Sequence, residues 1–466
     1  MSAGVFKVQP GAVLDGFTIE ELLHIGGMAK LWRVSHPGHD GALLMKMPMM
    51  REGDDPAAIV GFEMEQMILP RLDGPHVPRF IANGDFSVQP YLVMERVIGT
   101  SLLPMLERLP LPADELSVLG ARIANALADL HRQHVVHLDV KPSNILLRED
   151  GHIVLIDYGL ARHMQLPDLM HEEFRLPYGT APYMAPEQVM GNRNDFRSDQ
   201  FALGVLLYFF ATGTRPFGDP QTLGGLKKRL WRDPPPPRAL RPDLPPALQE
   251  IILRCLEVNP ANRYPGMSHL AADLSDPASV VLTARAEKVR RDPWLAAFRR
   301  RFDMPDQFHG KPQAALQRLS QAPIVVVAID LSEGSESLAQ ALRLTVRRQL
   351  DNAPQARVAC VNVIKTHRIA LDSSLDEEGR NKRAHRLAQL RQWAAPLGDV
   401  ALTCHVFEAV SPAEAILDYV RANPVDHIVM GARAASTLRT LLGTVSGQIA
   451  AHAPCTVTVV RERVAS

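Results

Sequence analysis

At 466 residues the chain exceeds what one hydrophobic core usually supports, and a composition of 46% apolar and 22% charged residues is that of ordinary globular domains, two or three of them. Lysine plus arginine balance aspartate plus glutamate at 51 each, which leaves no basic excess to make nucleic acid or an anionic membrane the main partner. The longest apolar run, FALGVLLYFFA at 201–211, is too short to span a bilayer, and MSAGVFKVQPGAVLDG lacks a charged start followed by an apolar stretch. A cytoplasmic protein without integral membrane association is expected. Cys255, Cys360, Cys404 and Cys455 form no CxxC pair and sit in apolar surroundings, which reads as four core thiols in a reducing compartment.

In chain order, residues 17–50 read as strands around turns: FTIEELLHI, AKLWRV and ALLMKM, broken by GG and HPGHDG. From residue 114 the period changes. Leu116, Leu119, Ile123, Leu127 and Leu130 recur at helical spacing and open a helical lobe. The stretch DPPPPRALRPDLPP (233–246) reads as a surface loop between helices rather than a polyproline ligand. Residues 276–321 are arginine-rich, and Trp294, Leu295, Phe298 and Phe302 at helical spacing make this an amphipathic linker expected to pack on a neighbouring domain, a membrane-surface helix being the rarer case. After 322 apolar runs alternate with helical segments: IVVVAID, a helix near 336–350, RVACVNVI, a helix near 377–395, VALTCHVFEA, a helix from Pro412, DHIVMGA, another helix, CTVTVVR. This alternation predicts a parallel sheet covered on both faces, with ligands at the carboxyl ends of its strands.

The chemistry concentrates in HLDVKPSNILLREDGHIVLIDYG, residues 137–159. Asn144 opens a strand, EDG turns it, and Asp157 closes the return, so an amide oxygen and a carboxylate meet at one end of a hairpin, where Mg²⁺ suits them. Asp139 then stands where it accepts a hydroxyl proton, and Lys141 where it neutralises charge on a transferring phosphoryl group. A lone loop aspartate more often caps a helix or turn. The constellation favours the catalytic reading.

Residues 17–275 resemble the eukaryotic-like serine/threonine protein kinases of bacteria. The resemblance implies a two-lobed α+β fold using ATP and Mg²⁺, with Asp139 as base, Lys141 marking serine/threonine specificity, and Asn144 and Asp157 as metal ligands. It further implies that Lys46 grips the phosphates, paired by Glu65, and that Met94 stands at the gate while the backbones of Glu95 and Val97 bind adenine. GTAPYMAPE (179–187) is similar to the substrate-docking end of the activation segment, Arg263 to the arginine that pairs with Glu187, and Asp199 to the aspartate that anchors the catalytic loop.

Two departures stand out. The glycine-rich loop retains Gly26 and Gly27 but reads His24 and Ala29 where the family has its outer glycines; a positive φ at His24 would cost ~1–3 kcal/mol. Leu138 replaces the arginine that receives an activation-loop phosphate, and residues 160–179 contain no serine or threonine. Loop phosphorylation is therefore not expected to control activity.

Residues 322–463 resemble the universal stress protein family, an α/β parallel-sheet, Rossmann-like fold. The resemblance matches Asp330 to a ribose- or adenine-binding aspartate and Gly431, Gly443, Thr444 and Ser446 to a phosphate loop. Ala434 stands for the second glycine, and the spacing to Gly443 is one residue short. Two readings stay open for this domain, a nucleotide sensor and a homodimerisation module that binds nothing. For the whole, with residues 1–16 as a leading segment and 276–321 as linker, a kinase acting on protein serine or threonine is expected. The alternative is a pseudokinase scaffold whose C-terminal domain senses or interacts.

Overall fold

The computed structural model describes residues 8–26, 29–49, 56–84, 89–173, 179–290, 323–331, 336–353, 356–366, 381–398, 402–423, 425–432 and 444–461. The N-terminal lobe is one antiparallel sheet of β1 (Val13–Leu14), β2 (Phe17–Ile25), β3 (Ala29–His36), β4 (His39–Pro48), β5 (Phe80–Gly84) and β6 (Tyr91–Glu95), in the order β1-β2-β3-β4-β6-β5. Alternate residues of these strands, among them Ile19, Trp32, Val34, Met45 and Val93, bury one face, as a period of two requires. Helix α1 (Pro56–Ile68) lies between β4 and β5 in sequence.

The helical lobe opens with β7 (Thr100–Ser101) and α2 (Ala113–Arg132), and all five residues of the helical stripe anticipated in α2 are buried. Acidic Asp114 and Glu115 in its first turn and His131 and Arg132 in its last complement the helix dipole. Short pairs of β8 (Val135–Val136), β9 (Ile145–Leu147), β10 (Ile153–Leu155) and β11 (Arg162–His163) follow, then α3 (Leu169–Glu173) and α4 (Pro186–Val189). Helix α5 (Arg197–Thr212) packs on α2 and ends at Gly213, whose φ of 73° gives the left-handed cap that glycine tolerates. The remainder is α6 (Leu223–Lys227), α7 (Pro237–Leu240), α8 (Pro246–Cys255) and α9 (Met267–Ser275), with α9 against α2 and α8 against α5.

The proline-rich stretch lies on this lobe, tied down by Tyr208 Oη donating to the Pro235 carbonyl at 3.0 Å, and it contains the single turn of α7. The chain does not leave the lobe at residue 276. Gln249 Nε2 donates to the carbonyls of Arg285, Ala286 and Lys288, and Glu250 accepts from Thr283 and Ala286, so this basic segment is sewn to α8. Trp294, Leu295, Phe298 and Phe302 lie outside the described residues.

The C-terminal domain is a five-stranded, wholly parallel sheet in the order β14-β13-β12-β15-β16, built from β12 (Ile324–Ala328), β13 (Arg357–Lys365), β14 (Leu402–Ala409), β15 (Val425–Ala432) and β16 (Thr456–Arg461). Helices α10 (Glu336–Asn352) and α11 (Lys382–Ala394) cover one face; α12 (Pro412–Ala422) and α13 (Thr444–His452) cover the other. Val325 and Val327 point one way and Val326 the other, which is why the strands read as continuous apolar runs. Cys255, Cys360 and Cys404 are buried as expected, but Cys455 is only half-buried: it stands just before β16, the edge strand of the described sheet. No described helix is long and apolar enough to cross a membrane.

Candidate functional site

The loop after β8 is held from beneath by Asp199, fully buried at the start of α5. Its carboxylate accepts the backbone N–H of His137 and of Leu138, each at 2.9 Å, and meets His131 Nε2 at 2.8 Å. These charge-assisted bonds fix a turn in which Leu138 adopts φ 62°, a left-handed conformation costing a leucine roughly 1–2 kcal/mol. The Leu138 side chain is buried, and its carbonyl accepts from Gln188 Nε2 at 3.0 Å.

The strained turn presents Asp139, which is itself 5% exposed and takes donors on both oxygens. Oδ2 accepts from Lys141 Nζ at 2.6 Å and Asn144 Nδ2 at 3.0 Å; Oδ1 accepts from Thr180 Oγ1 at 2.7 Å and the Thr180 N–H at 3.2 Å. Lys141 also donates to Thr180 Oγ1 at 3.0 Å. Sequence reasoning singled out the stretch 179–187 without its threonine. The signal was present, since a hydroxyl 41 residues downstream is what Asp139 and Lys141 share.

Asn144 ends a short 3₁₀ turn before β9, and Asp157 follows β10 by two residues with φ 68°. The neighbouring Ile156 N–H donates to the Asn144 carbonyl at 3.0 Å, so the hairpin brings the two sequence-predicted oxygen donors to one end. Lys46 reaches in from β4, 2.9 Å from Asp157 Oδ1 and 2.6 Å from Glu65 Oε2. The Tyr158 N–H donates to Glu65 Oε1 at 3.3 Å, which links α1 to the Asp157 turn.

The Lys46 ammonium holds the Asp157 carboxyl down to about 2, against the opposing pull of burial. Burial acts against the Lys46 charge, but the Asp157 and Glu65 carboxylates outweigh it and hold its pKa above the usual lysine value. Burial pushes Glu65 up, with Lys46 opposing. The Lys46 charge and the Asp157 charge thus support each other. Gly61 and Gly159 let α1 and this turn meet backbone to backbone: a Cβ on either would come within 3.2 Å of the other's carbonyl oxygen.

Met94 is buried at the end of β6, paired with Leu44. The Glu95 N–H donates to the Arg79 carbonyl at 2.8 Å and its side chain pairs with Arg148 at 2.8 Å, while Val97 follows half-buried. His24 sits inside β2 opposite Leu31 and does not take a positive φ, so the strain anticipated there does not arise. Gly26 turns the chain with its N–H on the Ala29 carbonyl at 2.9 Å; Gly27 lies outside the described residues. Below the site, Arg263 forms a doubly hydrogen-bonded pair with Glu187 at 2.7 and 2.9 Å, both side chains essentially out of solvent.

In the C-terminal domain, Asp330 lies exposed just past β12, and Gly431 lies near the end of the adjacent β15, at the point where the strand order reverses. A Cβ on Gly431 would meet Leu338 of α10 at 3.0 Å. Thr444 opens α13, and Ser446 in its first turn is buried. Gly443 and Ala434 lie outside the described residues. Strand register thus sets Asp330 and Gly431 at the same end of adjacent strands, Ala328 pairing with Met430, while Ser446 is buried.

Residues 17–274 match the protein kinase domain family, and residues 323–461 match the universal stress protein family. The chain is 32% identical over 276 residues to the serine/threonine-protein kinase PknL of Mycobacterium tuberculosis, covering 59% of this chain and 69% of PknL. It is 30% identical over 248 residues to a probable serine/threonine-protein kinase of Clostridium perfringens, covering 53% of this chain but only 34% of that relative. Among solved structures, the crystal structure of the Mycobacterium tuberculosis PknI kinase domain is 26% identical, covers 59% of this chain and 100% of that one, and superposes with a TM-score of 0.45.

Proposed function

This chain belongs to the protein kinase family, and from that membership we propose that it transfers the γ-phosphoryl group of ATP to serine or threonine hydroxyls of protein substrates. The observation that carries the reading is the convergence, from five separate segments, of two groups, Lys46 with Glu65 and Asp157, and Asp139 with Asn144 and Thr180, joined by the Ile156 N–H on the Asn144 carbonyl.

The residues fit a magnesium nucleotide. Asp157 and Asn144 offer hard oxygen donors of the kind Mg²⁺ takes, and the Asp157 carboxyl stays ionised because Lys46 lies beside it. Bound there between protein and phosphates, Mg²⁺ would neutralise charge building on the transferring group. Lys46, oriented by Glu65, holds the phosphates. Met94 closes the back of the adenine slot, where the Glu95 and Val97 backbones offer hydrogen bonds. Asp139 accepts the substrate hydroxyl proton, and Lys141, already 2.6 Å from Asp139, steadies the oxygens of the phosphoryl group. Thr180 positions both and ties the substrate-binding stretch to the catalytic aspartate.

The C-terminal domain we read as an interaction module. Strand β16 is a sheet edge rich in valine and threonine and only half-buried, the kind of edge that pairs with a second copy of itself.

The test is incubation of the purified full chain with labelled Mg-ATP and a protein substrate, with sites mapped by mass spectrometry. Label on serine or threonine, absent in the Asp139→Asn chain, is expected. Nucleotide binding without any transfer would instead favour a scaffold.

A further inference from the structure

Helix α1 carries Glu65 to Lys46, so its position decides whether that pair forms. Its sequence, PAAIVGFEMEQMI, is apolar almost all round, and every residue from 57 to 66 is buried. A helix on the flank of a small lobe keeps a polar outer stripe unless something covers it. Here the cover is the C-terminal domain. Ile59 and Phe62 of α1 and Met170 of α3 belong to one continuous buried cluster with Leu387, Leu390 and Val406 of that domain. Glu63, on α1 and 3% exposed, is ion-paired with Arg391 of α11. Helix α12 packs against α3, within the segment between Asp157 and Glu187.

The contact therefore reaches both elements that must be set for a kinase to work: the helix bearing the ion-pair glutamate and the activation segment. In kinases controlled through that segment, a phosphate on it does the setting. This chain has Leu138 in place of the receiving arginine and no serine or threonine in 160–179.

We infer that the C-terminal domain is an intramolecular clamp, docking its α11, β14 and α12 end on α1 and α3 to hold Glu65 against Lys46 in place of loop phosphorylation. The inference rests on the kinase reading above and adds its regulation: whatever loosens the docked domain switches the enzyme off.

The experiment uses the full chain in four forms: wild type, Arg391→Glu, Glu63→Arg and the charge-swapped double variant, with Arg391→Ala as a milder disruption should a reversal fail to fold. Two readouts are taken, the rate of transfer to dephosphorylated casein and amide hydrogen exchange of residues 56–68. Each single variant should transfer about tenfold more slowly and exchange about tenfold faster in 56–68, the factor that 1.4 kcal/mol gives. The double variant should recover most of both. Single variants with wild-type rate and exchange overturn the clamp, and so does a slower rate with unchanged exchange. If wild type itself transfers nothing, the kinase reading has failed, and the exchange of 56–68 across the four forms still decides whether the domain holds the helix.

Discussion

Asp157 and Asp330 occupy matching places in their two domains, each two residues beyond the end of a strand. Their surroundings differ. Asp157 receives Lys46 from a strand 111 residues away, and its turn is bonded to α1 and to Asn144. Both carboxylates reach solvent; near Asp330 the adjacent strand β15 contributes Gly431, packed by Leu338, while Ser446 of α13 is buried. What separates the two is the kind of partner that arrives: at Asp157 it is a lysine from β4, itself paired with a glutamate of α1.

The sharpest way to break this contrast is to make the same change at both. Asp157→Asn should lower the transfer rate by ~10²–10⁴-fold, the scale of a lost catalytic charge, while Asp330→Asn stays within about twofold of wild type. Equal losses would mean that the C-terminal aspartate serves the reaction too. Next in size, Lys46→Met leaves Glu65 and Asp157 facing each other without the intervening ammonium, and should destabilise the fold by about 3 kcal/mol in denaturant titration and abolish saturable ATP binding.

An acid titration sharpens the contrast further. The folded Asp157 carboxyl is held at about 2, below its unfolded value, so the stability it contributes is complete above the ordinary carboxylate range and disappears as pH falls through about 2. The stability gap between wild type and Asp157→Asn should therefore be constant from pH 7 to about 5, begin to shrink near about 4 and close only as pH falls through about 2. A gap that closes near neutral pH would remove Lys46 as the cause. The smallest gain is expected from Leu138→Arg: position 138 is buried and 160–179 holds no serine or threonine, so transfer should rise less than about twofold before or after phosphatase treatment. A large gain would show that a phosphate lands there after all.

Much of this architecture was legible in local pattern. The strand runs of the first lobe, the 3.6-residue stripe of α2 and the strand-helix alternation after 322 each arise from short-range periodicity, and each folds accordingly. The motif spacing around Asp139 and Asp157 likewise encodes a hairpin whose geometry follows from its turn. What local reading lost depends on distant partners. Thr180 matters because Asp139 and Lys141 fold onto it, and Cys455 is half-exposed because β16 is an edge. His24 escapes strain because β3 pairs with it directly. The apolar circumference of α1 could have announced a covering element, but not that the cover would be a second domain.

Glu63 and Arg391 are 328 residues apart in the chain. At ~5–20 residues per second, a ribosome needs roughly 15–65 s after completing α1 to make its counterpart. During that interval the lobe exists without the α11 residues that later pair with its apolar helix. A chain broken off before residue 391 never forms that pair. The order of synthesis thus closes the α1 face last, by a pairing that only the nearly finished chain can make.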